Sequence, residues 1–483
     1  MIPARKWIRR LRAVVPCALL LVSGTAAGAA QDWRWVSDDE GYQLTLQHCF
    51  GCHGVVFTGG RAPGLLTDTW NHMSSLEDMP RIIRDGIPTA GMPAFGSELS
   101  EEQIRSMARF IGLLVREGEH LAERAREQLE DPLRETEQHD FRVEPVVDGL
   151  RIPWSFAFLP DGGLLVAERV GALRFVRDGV LSAPIAGTPP VWARQDGGLL
   201  ALALDPDFAD NGWIYLSFAA PGERFATSMT RLVRGRVRGA TWVDQETVWS
   251  APQAWFSESH MHYGTRLLFA DGYLWFSVGD RGDRDAPQDL GSPLGKIHRI
   301  RPNGEIPDDN PFVGDPQRFP SIWTYGHRNP QGLAMSSRGG LWASEHGPSG
   351  GDELNRIRGG HNYGWPLATG GREHDGRLIS EVRSLPGMDD PVVYWGPEMA
   401  PSAIAFYEAE RFPRWRNHLL VGFLASQELR RVELEGDRVI HQEVLLKGLG
   451  RVRDIQVGPD GLVYVALERH GNHGGIIRLA PVR

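Results

Sequence analysis

The segment that decides the fold reads Phe156-Ala157-Phe158-Leu159-Pro160-Asp161-Gly162-Gly163-Leu164-Leu165-Val166. An apolar run, a turn with Asp and Gly and a second apolar run form the pattern of two strands joined by a hairpin. A near copy close to the end of the chain reads Ile455-Gln456-Val457-Gly458-Pro459-Asp460-Gly461-Leu462-Val463-Tyr464-Val465. Four further copies lie at residues 202–216, 267–276, 333–342 and 404–422. The sequence therefore repeats one small antiparallel unit six times.

The spacing of these six units predicts how they pack. They recur at irregular intervals of about 45 to 70 residues, and a single sheet of this kind cannot bury both faces, so the copies must stack. Radial stacking into a β-propeller covers the faces and leaves only short edges, whereas a two-sheet sandwich does not account for six similar units. We therefore expect a mainly β chain with a six-bladed β-propeller over residues 141–483. Its functional loops should lie at one end of the central channel.

The region before residue 141 has a different pattern. Residues 38–44 are typical of a first helix, and Ser100 with Gln103 forms a capping-box pattern that opens a second helix over residues 104–115. Residues 116–140 are rich in Glu, Arg and Gln. We expect a small all-α domain over residues 31–115, followed by a charged helical linker over residues 116–140.

The small domain contains the motif Cys49-Phe50-Gly51-Cys52-His53, a C-x-x-C-H. This motif is the attachment signature of c-type haem, in which Cys49 and Cys52 bind the haem covalently and His53 ligates the iron. A redox or zinc Cys pair is the alternative. Zinc needs about four ligands, and the chain has three Cys in all, with no second pair. The motif therefore predicts a cytochrome c domain.

The sixth iron ligand is expected from a methionine. Met92 lies in the small-residue loop Gly91-Met92-Pro93-Ala94, and His/Met ligation gives haem a comparatively high potential, which suits an electron acceptor. His48 and His72 are the alternative ligands. We favour Met92 because of its Gly-Met-Pro setting.

The N-terminus and the charge balance predict where the protein works. Residues 1–30 carry five basic and no acidic residues, then an apolar core and small residues, which is the pattern of a signal peptide. Its removal changes the net charge from −9 to −14. An acidic protein is a poor partner for nucleic acid or anionic membrane, and no later segment looks transmembrane. We expect a periplasmic protein, because haem c is attached after export.

Four dense polar clusters interrupt the predicted propeller, at residues 259–266, 325–332, 345–353 and 451–454. Each adjoins a strand unit, so we expect each to be a loop from a different blade. If they converge at the channel mouth, they supply His as a base, Arg as an anion clamp, and turn carbonyls for a hard cation.

Residues 141–483 resemble the soluble pyrroloquinoline-quinone (PQQ) sugar dehydrogenases, in particular the bacterial aldose sugar dehydrogenases. The matching motifs are Tyr325-Gly326-His327-Arg328-Asn329-Pro330-Gln331-Gly332-Leu333-Ala334, Glu345-His346-Gly347-Pro348, Gly351-Asp352-Glu353-Leu354-Asn355, Asn362-Tyr363-Gly364-Trp365-Pro366 and Gly304-Glu305-Ile306-Pro307-Asp308-Asp309-Asn310-Pro311-Phe312. The resemblance implies a six-bladed propeller that binds PQQ and calcium and oxidises a sugar or a related alcohol or aldehyde.

The resemblance also implies roles for single residues. His262 matches the catalytic histidine, four residues before an Arg-Leu pair, whereas His260 competes for the role with the wrong spacing. Asp280 matches the residue that orients the imidazole. Arg328 and Asn329 match the pair beside the reactive carbonyl of the quinone.

Further matches concern the carboxylates of PQQ and calcium. Arg451 and Arg453 match the arginines that hold carboxylates of the cofactor. The carbonyl oxygens of Gly347 and Pro348 match ligands of the calcium that PQQ binds. Glu353 and the backbone of Tyr363 match a second, structural calcium position of relatives.

Two positions depart from the family pattern. Asp196 stands where relatives carry Gln or sometimes Glu, and Ala425 stands where they carry Lys. One polar and one charged contact to PQQ are therefore altered, and we expect a lower affinity for PQQ or a changed substrate.

Together these features predict a periplasmic dehydrogenase that passes hydride from an aldose to PQQ and electrons to its own haem c. A downstream periplasmic acceptor would then reoxidise the haem. Two alternatives remain at this point: a calcium-dependent propeller lactonase or esterase, and a non-catalytic propeller binding module fused to an electron carrier.

Overall fold

The computed structural model describes residues 40–53, 65, 72, 75–90, 92–373, 377–396, 399–469 and 473–482. The predicted signal peptide, residues 1–30, lies outside the described residues. No helix within these ranges is long and apolar enough to cross a membrane.

The described helices lie mostly before the propeller. The α-helices are α1 Glu40–His53, α2 Met79–Asp85, α3 Glu101–Glu130 and α4 Phe208–Asn211. Short 3₁₀ turns span Leu76–Asp78, Pro88–Ala90, Gln253–Trp255 and Pro413–Trp415. The first three α-helices agree with the prediction of an all-α N-terminal region.

The start of α3 is fixed by the predicted capping box. The backbone N of Gln103 donates to Oγ of Ser100 at 3.2 Å, and the backbone N of Ser100 donates to Oε1 of Gln103 at 3.0 Å. Two of the otherwise unpaired donors at the helix N-terminus are thereby satisfied. The apolar side of α3 then packs on α1 and α2 through a core that includes Cys49, Ile83 and Phe110.

The linker is only partly helical. Helix α3 continues to Glu130, but strand β1, Leu133–Arg134, then pairs with strand β2, Phe141–Arg151. The expectation of a helical linker to residue 140 is therefore wrong for its last ten residues. The side chain of Leu129 packs on a propeller core cluster, so the helix ends where it reaches the sheet.

The remaining strands form the blades, each an antiparallel sheet. Blade 1 contains β3 Pro153–Phe158, β4 Leu164–Glu168, β5 Ala172–Arg177 and β6 Val180–Leu181. Blade 2 contains β7 Leu199–Leu204, β8 Ile214–Pro221, β9 Ser228–Arg238 and β10 Thr241–Ser250. Blade 3 contains β11 Leu267–Ala270, β12 Tyr273–Val278, β13 Lys296–Ile300 and β14 Ile322–Tyr325.

The second half of the ring repeats this plan. Blade 4 contains β15 Pro330–Met335, β16 Leu341–Glu345, β17 Asp352–Ile357 and β18 Val393–Trp395. Blade 5 contains β19 Pro401–Phe406, β20 Leu419–Phe423, β21 Glu428–Glu435 and β22 Arg438–Lys447. Blade 6 contains β23 Arg451–Val457, β24 Val463–Glu468 and β25 His473–Pro481, completed by β2 and β1.

The ring closes by pairing the start of the propeller with its end. Strand β2 runs antiparallel to β25, with Phe141 opposite Pro481 and Val143 opposite Leu479. The innermost strands β3, β7, β11, β15, β19 and β23 contact one another in sequence, and β23 contacts β3 again. The predicted six-bladed β-propeller is confirmed.

Local sequence explains the hairpins within the blades. In blade 3 the turn between β11 and β12 consists of Asp271 and Gly272, which have φ of 54° and 78°. A two-residue hairpin needs positive φ at both turn positions, and Asp-Gly adopts it at little cost. The Asp-Gly signal therefore marked a true hairpin.

One buried arginine spans the central channel between opposite blades. Arg266 precedes β11 in blade 3, and its Nη1 donates to Oδ1 of Asp454 in blade 6 at 2.8 Å. Its Nη2 donates to the backbone oxygen of Arg453 at 3.1 Å, and its Nε to that of Gln331 at 3.0 Å. Arg266 thus links blades 3, 4 and 6.

Candidate active site

A cavity of about 440 Å³ lies at one end of the propeller channel. Its wall is built where the innermost strands begin and where the second strands end. Every blade contributes to it, for example through Trp154, Asp196, His262, Arg328, Ala425 and Arg451. The volume is that of an ordinary small-molecule site.

His262 and Asp280 form a hydrogen-bonded pair in this wall. Nδ1 of His262 lies 2.7 Å from Oδ1 of Asp280. The segment before β11 carries the histidine and passes against Gly279, where a Cβ would lie 2.2 Å from the His262 carbonyl oxygen. Gly279 is therefore required for the two loops to approach, which explains the Gly-Asp pair in the sequence.

Asp280 is buried and held as an anion. Its Oδ2 accepts a hydrogen bond from Nε1 of Trp365 at 2.9 Å, and its Oδ1 accepts one from the backbone N of Gly282 at 2.8 Å. Burial opposes ionisation, but the charge and hydrogen bond of His262 and the charge of Arg328 hold the pKa of Asp280 below its ordinary value. An ionised Asp280 only accepts, so Nδ1 of His262 donates and Nε2 remains to take a proton.

The two candidate histidines occupy different places. His262 lines the cavity, and its backbone N donates to Oδ2 of Asp196 at 3.1 Å. His260 does not line it; its Nδ1 accepts a hydrogen bond from Nε1 of Trp192 at 3.1 Å. The geometry therefore favours His262 over His260 for the role that the resemblance implied.

Arg328 faces the cavity from blade 4 and is anchored at both ends. Its backbone N donates to Oε2 of Glu345 at 2.8 Å. Its Nη1 donates to the carbonyl oxygens of His346 and Gly347 at 3.1 and 2.7 Å. These two carbonyls therefore already serve a cation, which is the property expected of calcium ligands.

Asn329 holds the backbone of the loop that carries His262. Its Oδ1 accepts from the backbone N of Gly264 at 3.1 Å and from Nε2 of Gln331 at 3.0 Å. Asn329 lines the cavity as well. Position and contacts thus fit either a ligand contact or a structural brace of the histidine loop.

The polar clusters converge, but not one from each blade. Residues 325–332 enter blade 4 at β15, and residues 345–353 connect β16 to β17 of the same blade. The expectation of four different blades is therefore wrong. Because β15 and β16 form a hairpin, the loop before β15 and the loop after β16 lie at the same end of the blade.

Arg451 and Arg453 lie at the start of β23 and share one carboxylate. Nε of Arg453 donates to Oε2 of Glu468 at 2.6 Å, and Nε of Arg451 lies 3.4 Å from the same oxygen. Burial, opposed by Glu468, lowers the pKa of Arg453 to about 10. Burial alone would raise the pKa of Glu468, but the arginines, first Arg453 and then Arg451 and Arg169, lower it to about 2.

The predicted second calcium position lies away from the cavity. Glu353 and Tyr363 are buried and do not line it. Burial and the neighbouring Glu345 raise the pKa of Glu353 well above its ordinary value. Among the described residues no three His, Cys, Asp or Glu side chains are grouped to hold a metal, so backbone oxygens would have to complete either calcium site.

The haem motif lies at the end of α1. Cys49 is buried in the α-helical core, and His53 is the last residue of the helix. Cys52 lies three residues after Cys49 in the same helix. This donor set, two thiols and an imidazole within five residues, fits covalent haem.

The alternative axial ligands differ in their surroundings. Met92 is half-buried, and its backbone exchanges hydrogen bonds with Ile87 at 3.0 and 3.1 Å. The His48 ring packs edge-on against Phe95 at 5.5 Å. His72 is exposed. Met92 and His48 are both half-buried, so Met92 as the sixth ligand stays a prediction.

Comparison with known proteins assigns the family. A family model described as glucose/sorbosone dehydrogenase matches residues 150–478. The chain belongs to the glucose/sorbosone dehydrogenase family. A second model, described as subunit III of cbb3-type cytochrome c oxidase, matches residues 37–111. A cytochrome c domain therefore precedes the propeller, as the haem motif predicted.

Relatives within this family are aldose sugar dehydrogenases. One from Escherichia coli (strain K12) is 40% identical over 349 residues, which are 70% of this chain and 92% of the relative. The apo-form crystal structure of the soluble aldose sugar dehydrogenase from Escherichia coli has a TM-score of 0.66 at 38% identity and covers 71% of this chain and 100% of its own. The PQQ-bound enzyme from Streptomyces coelicolor has a TM-score of 0.58 at 30% identity, over 71% and 98%.

Sequence reasoning missed several residues of the glucose/sorbosone dehydrogenase cavity, notably Arg169, Trp154, Trp365 and the Arg284–Glu373 ion pair. A signal for Arg169 was present. It directly follows the second strand of the first unit, just as His346 follows the second strand of the fourth. Extending that register to all six units would have placed Arg169 at the cavity.

Both departures from the family pattern lie in the cavity wall. Asp196 uses Oδ2 to accept from the backbone N of His262, so it supports the histidine loop. Ala425 lines the cavity at the end of blade 5 without a charge.

Proposed function

We propose that the protein is a periplasmic, PQQ- and calcium-dependent dehydrogenase that oxidises an aldose and passes the electrons to its own haem c. The alcohol carbon of the sugar loses hydride and its hydroxyl loses a proton, so an aldose gives a lactone. A related alcohol or aldehyde is the alternative substrate class.

One observation carries this proposal: a carboxylate-oriented histidine and a group of arginines face the same cavity. His262 with Asp280 lies on one side, and Arg451 with Arg453 on another. Arginines bind carboxylates in a two-pronged geometry, and PQQ is a planar quinone with three carboxylates. The cationic donor set therefore fits PQQ.

The chain's own residues provide binding and proton transfer. Nε2 of His262 takes the hydroxyl proton of the sugar, while Asp280 fixes the tautomer and stabilises the imidazolium. Arg328 places a guanidinium in the same wall, where it favours negative charge on a bound oxygen. PQQ, when bound, supplies the two-electron acceptor that no side chain provides.

Calcium is proposed at the turn after β16. The carbonyl oxygens of His346 and Gly347 already bind the Arg328 guanidinium, and Pro348 follows in the cavity wall. A hard cation prefers such oxygen ligands. The second position at Glu353 and the Tyr363 backbone is proposed as a structural site, supported by the neighbouring carboxylates of Glu345 and Asp352, whose repulsion of buried Glu353 a cation would relieve.

The covalent haem is proposed as the internal electron acceptor. His53 and Met92 would ligate its iron, and Cys49 and Cys52 would hold the ring. A domain in the same chain raises the effective concentration of the acceptor. The predicted signal peptide supports periplasmic assembly, and a separate periplasmic acceptor would reoxidise the haem.

The function is tested by sugar oxidation in reconstituted protein. Apo protein is incubated with PQQ and calcium, offered aldoses, alcohols and aldehydes, and assayed with an artificial electron acceptor and for lactone. We expect turnover that requires PQQ. No turnover with any of these substrates contradicts the proposal, and lactone or ester hydrolysis without PQQ supports the lactonase alternative.

A further inference from the structure

We propose that Arg169 is a third cation of the anion clamp in the cavity, acting with Arg451 and Arg453 to hold the carboxylates of PQQ. The inference rests on the proposed function and adds a binding residue from blade 1. The family resemblance placed no residue of blade 1 in the site.

The position of Arg169 follows from the ring. It comes directly after β4 of blade 1, and blade 1 is the neighbour of blade 6, which carries Arg451 and Arg453. All three arginines line the cavity. Nη1 of Arg169 donates to the backbone oxygen of Gln195, so the side chain is fixed by the loop before β7. The clamp therefore extends across two adjacent blades.

The positive charge of the three guanidinium groups exceeds the negative charge of the carboxylates beside them. Glu468 is buried and is shared by Arg453 and Arg451. The nearest carboxylate along the chain, Glu168, is bound to Arg174 at 2.8 Å and to the backbone N of Arg151 at 2.6 Å. The one negative charge of Glu468 is therefore divided among three arginines, and Glu168 is engaged elsewhere.

The remaining acidic group of this wall is also engaged. Asp196 accepts a hydrogen bond from the backbone N of His262. Desolvation, opposed by Glu468 and Asp196 but reinforced by Arg451, lowers the pKa of Arg169. Uncompensated buried charge is costly, so a bound polyanion stabilises this wall more than a neutral ligand does.

The residues of blade 5 that line the cavity, Ala400, Leu424 and Ala425, carry no positive charge. Ala425 stands two residues after β20, where the family pattern expects Lys. The arginine cations of the clamp thus come from the blade 6 and blade 1 side of the cavity, and Arg169 contributes one of three. Its loss should weaken PQQ binding more than the loss of any arginine outside the cavity.

The test measures PQQ affinity rather than turnover. Arg169→Gln keeps a donor for the Gln195 carbonyl but removes the charge, whereas Arg169→Lys keeps the charge. Arg177→Gln is the control, because it removes an arginine of blade 1 that pairs with the exposed Asp161 and does not line the cavity. The full chain is titrated with PQQ and calcium by equilibrium dialysis, and thermal unfolding of each variant is recorded.

We expect Arg169→Gln to raise the dissociation constant for PQQ about tenfold or more, which is the loss expected for one charged hydrogen bond. Arg169→Lys should retain most of the affinity, and Arg177→Gln all of it. Unchanged affinity of Arg169→Gln overturns the inference, as does equal loss in Gln and Lys variants that remain folded. A wild-type chain that binds no PQQ instead refutes the proposed function itself.

Discussion

Nδ1 of His262 lies 2.7 Å from Oδ1 of Asp280 in the wall of the propeller cavity. Asp280 in turn accepts from Trp365 and Gly282, so two groups fix the carboxylate and the carboxylate fixes the imidazole. The pair joins the loop before β11 to the loop after β12 in one blade. It is the arrangement that a general base requires.

Removal of the base should abolish most turnover. We expect His262→Ala to lower kcat by about 10²- to 10⁴-fold, the usual contribution of a general base. His260→Ala is the matched control and should leave kcat unchanged, because that ring binds Trp192 and does not line the cavity. Both variants are assayed at saturating sugar after their PQQ content has been measured. A His262→Ala enzyme with wild-type kcat would contradict the assignment.

The channel-spanning arginine should matter for stability. Arg266→Ala leaves Asp454 buried without its cation, and breaking a buried pair in this way costs about 3–5 kcal/mol. Arg177→Ala breaks the exposed pair with Asp161 and should change the free energy of unfolding by less than about 1 kcal/mol. Urea denaturation of the two variants measures the difference. Equal changes in the free energy of unfolding would show that the Arg266–Asp454 pair stabilises the fold no more than an exposed ion pair does.

The shared carboxylate of the clamp predicts a pH dependence of stability. The folded-state pKa of Glu468 is about 2, below the ordinary 4.5, so the unfolded chain takes up a proton first as the pH falls. The stabilisation, about 3 kcal/mol, is present above pH 4.5 and is lost as the pH falls through about 2. The advantage of wild type over Glu468→Gln in urea denaturation should therefore shrink from pH 6 to pH 3. A stability difference between wild type and Glu468→Gln that stays constant from pH 6 to pH 3 would contradict the pairing of Glu468 with the arginines.

Much of the architecture was predictable from local patterns. The repeated hairpin unit located all six blades, Asp271-Gly272 marked a true turn, and the box of Ser100 and Gln103 placed the start of α3. Each of these depends on residues close in sequence, so periodicity and turn chemistry suffice. The role of His262 came from the family resemblance instead of a local pattern, and the structure places that residue in the cavity wall.

Features that join distant residues were not predictable. Strand β1 replaced the end of the linker because β2 completes blade 6 beside β25, at the other end of the chain. The pair of Arg266 with Asp454 needs opposite blades to face each other. Arg169 was missed because its role depends on the closure that makes blade 1 a neighbour of blade 6. Only the ring itself brings these groups together.

The haem assignment predicts a change in redox potential. Met92→Leu removes the proposed sixth ligand and should lower the midpoint potential of the haem, because the thioether favours the reduced iron. His48→Ala should leave the potential close to wild type, since His48 packs against Phe95. Potentiometric titration of the purified haemoprotein measures both. A changed midpoint potential in His48→Ala but not in Met92→Leu would identify His48, and not Met92, as the sixth ligand.

The most direct measurement follows the haem spectrum of the full holoenzyme after rapid anaerobic mixing with an aldose. Electron transfer within one chain predicts haem reduction that requires PQQ and whose first-order rate does not change when the enzyme is diluted. The account would be contradicted if the PQQ-loaded enzyme oxidised the sugar with an artificial acceptor while its own haem stayed oxidised.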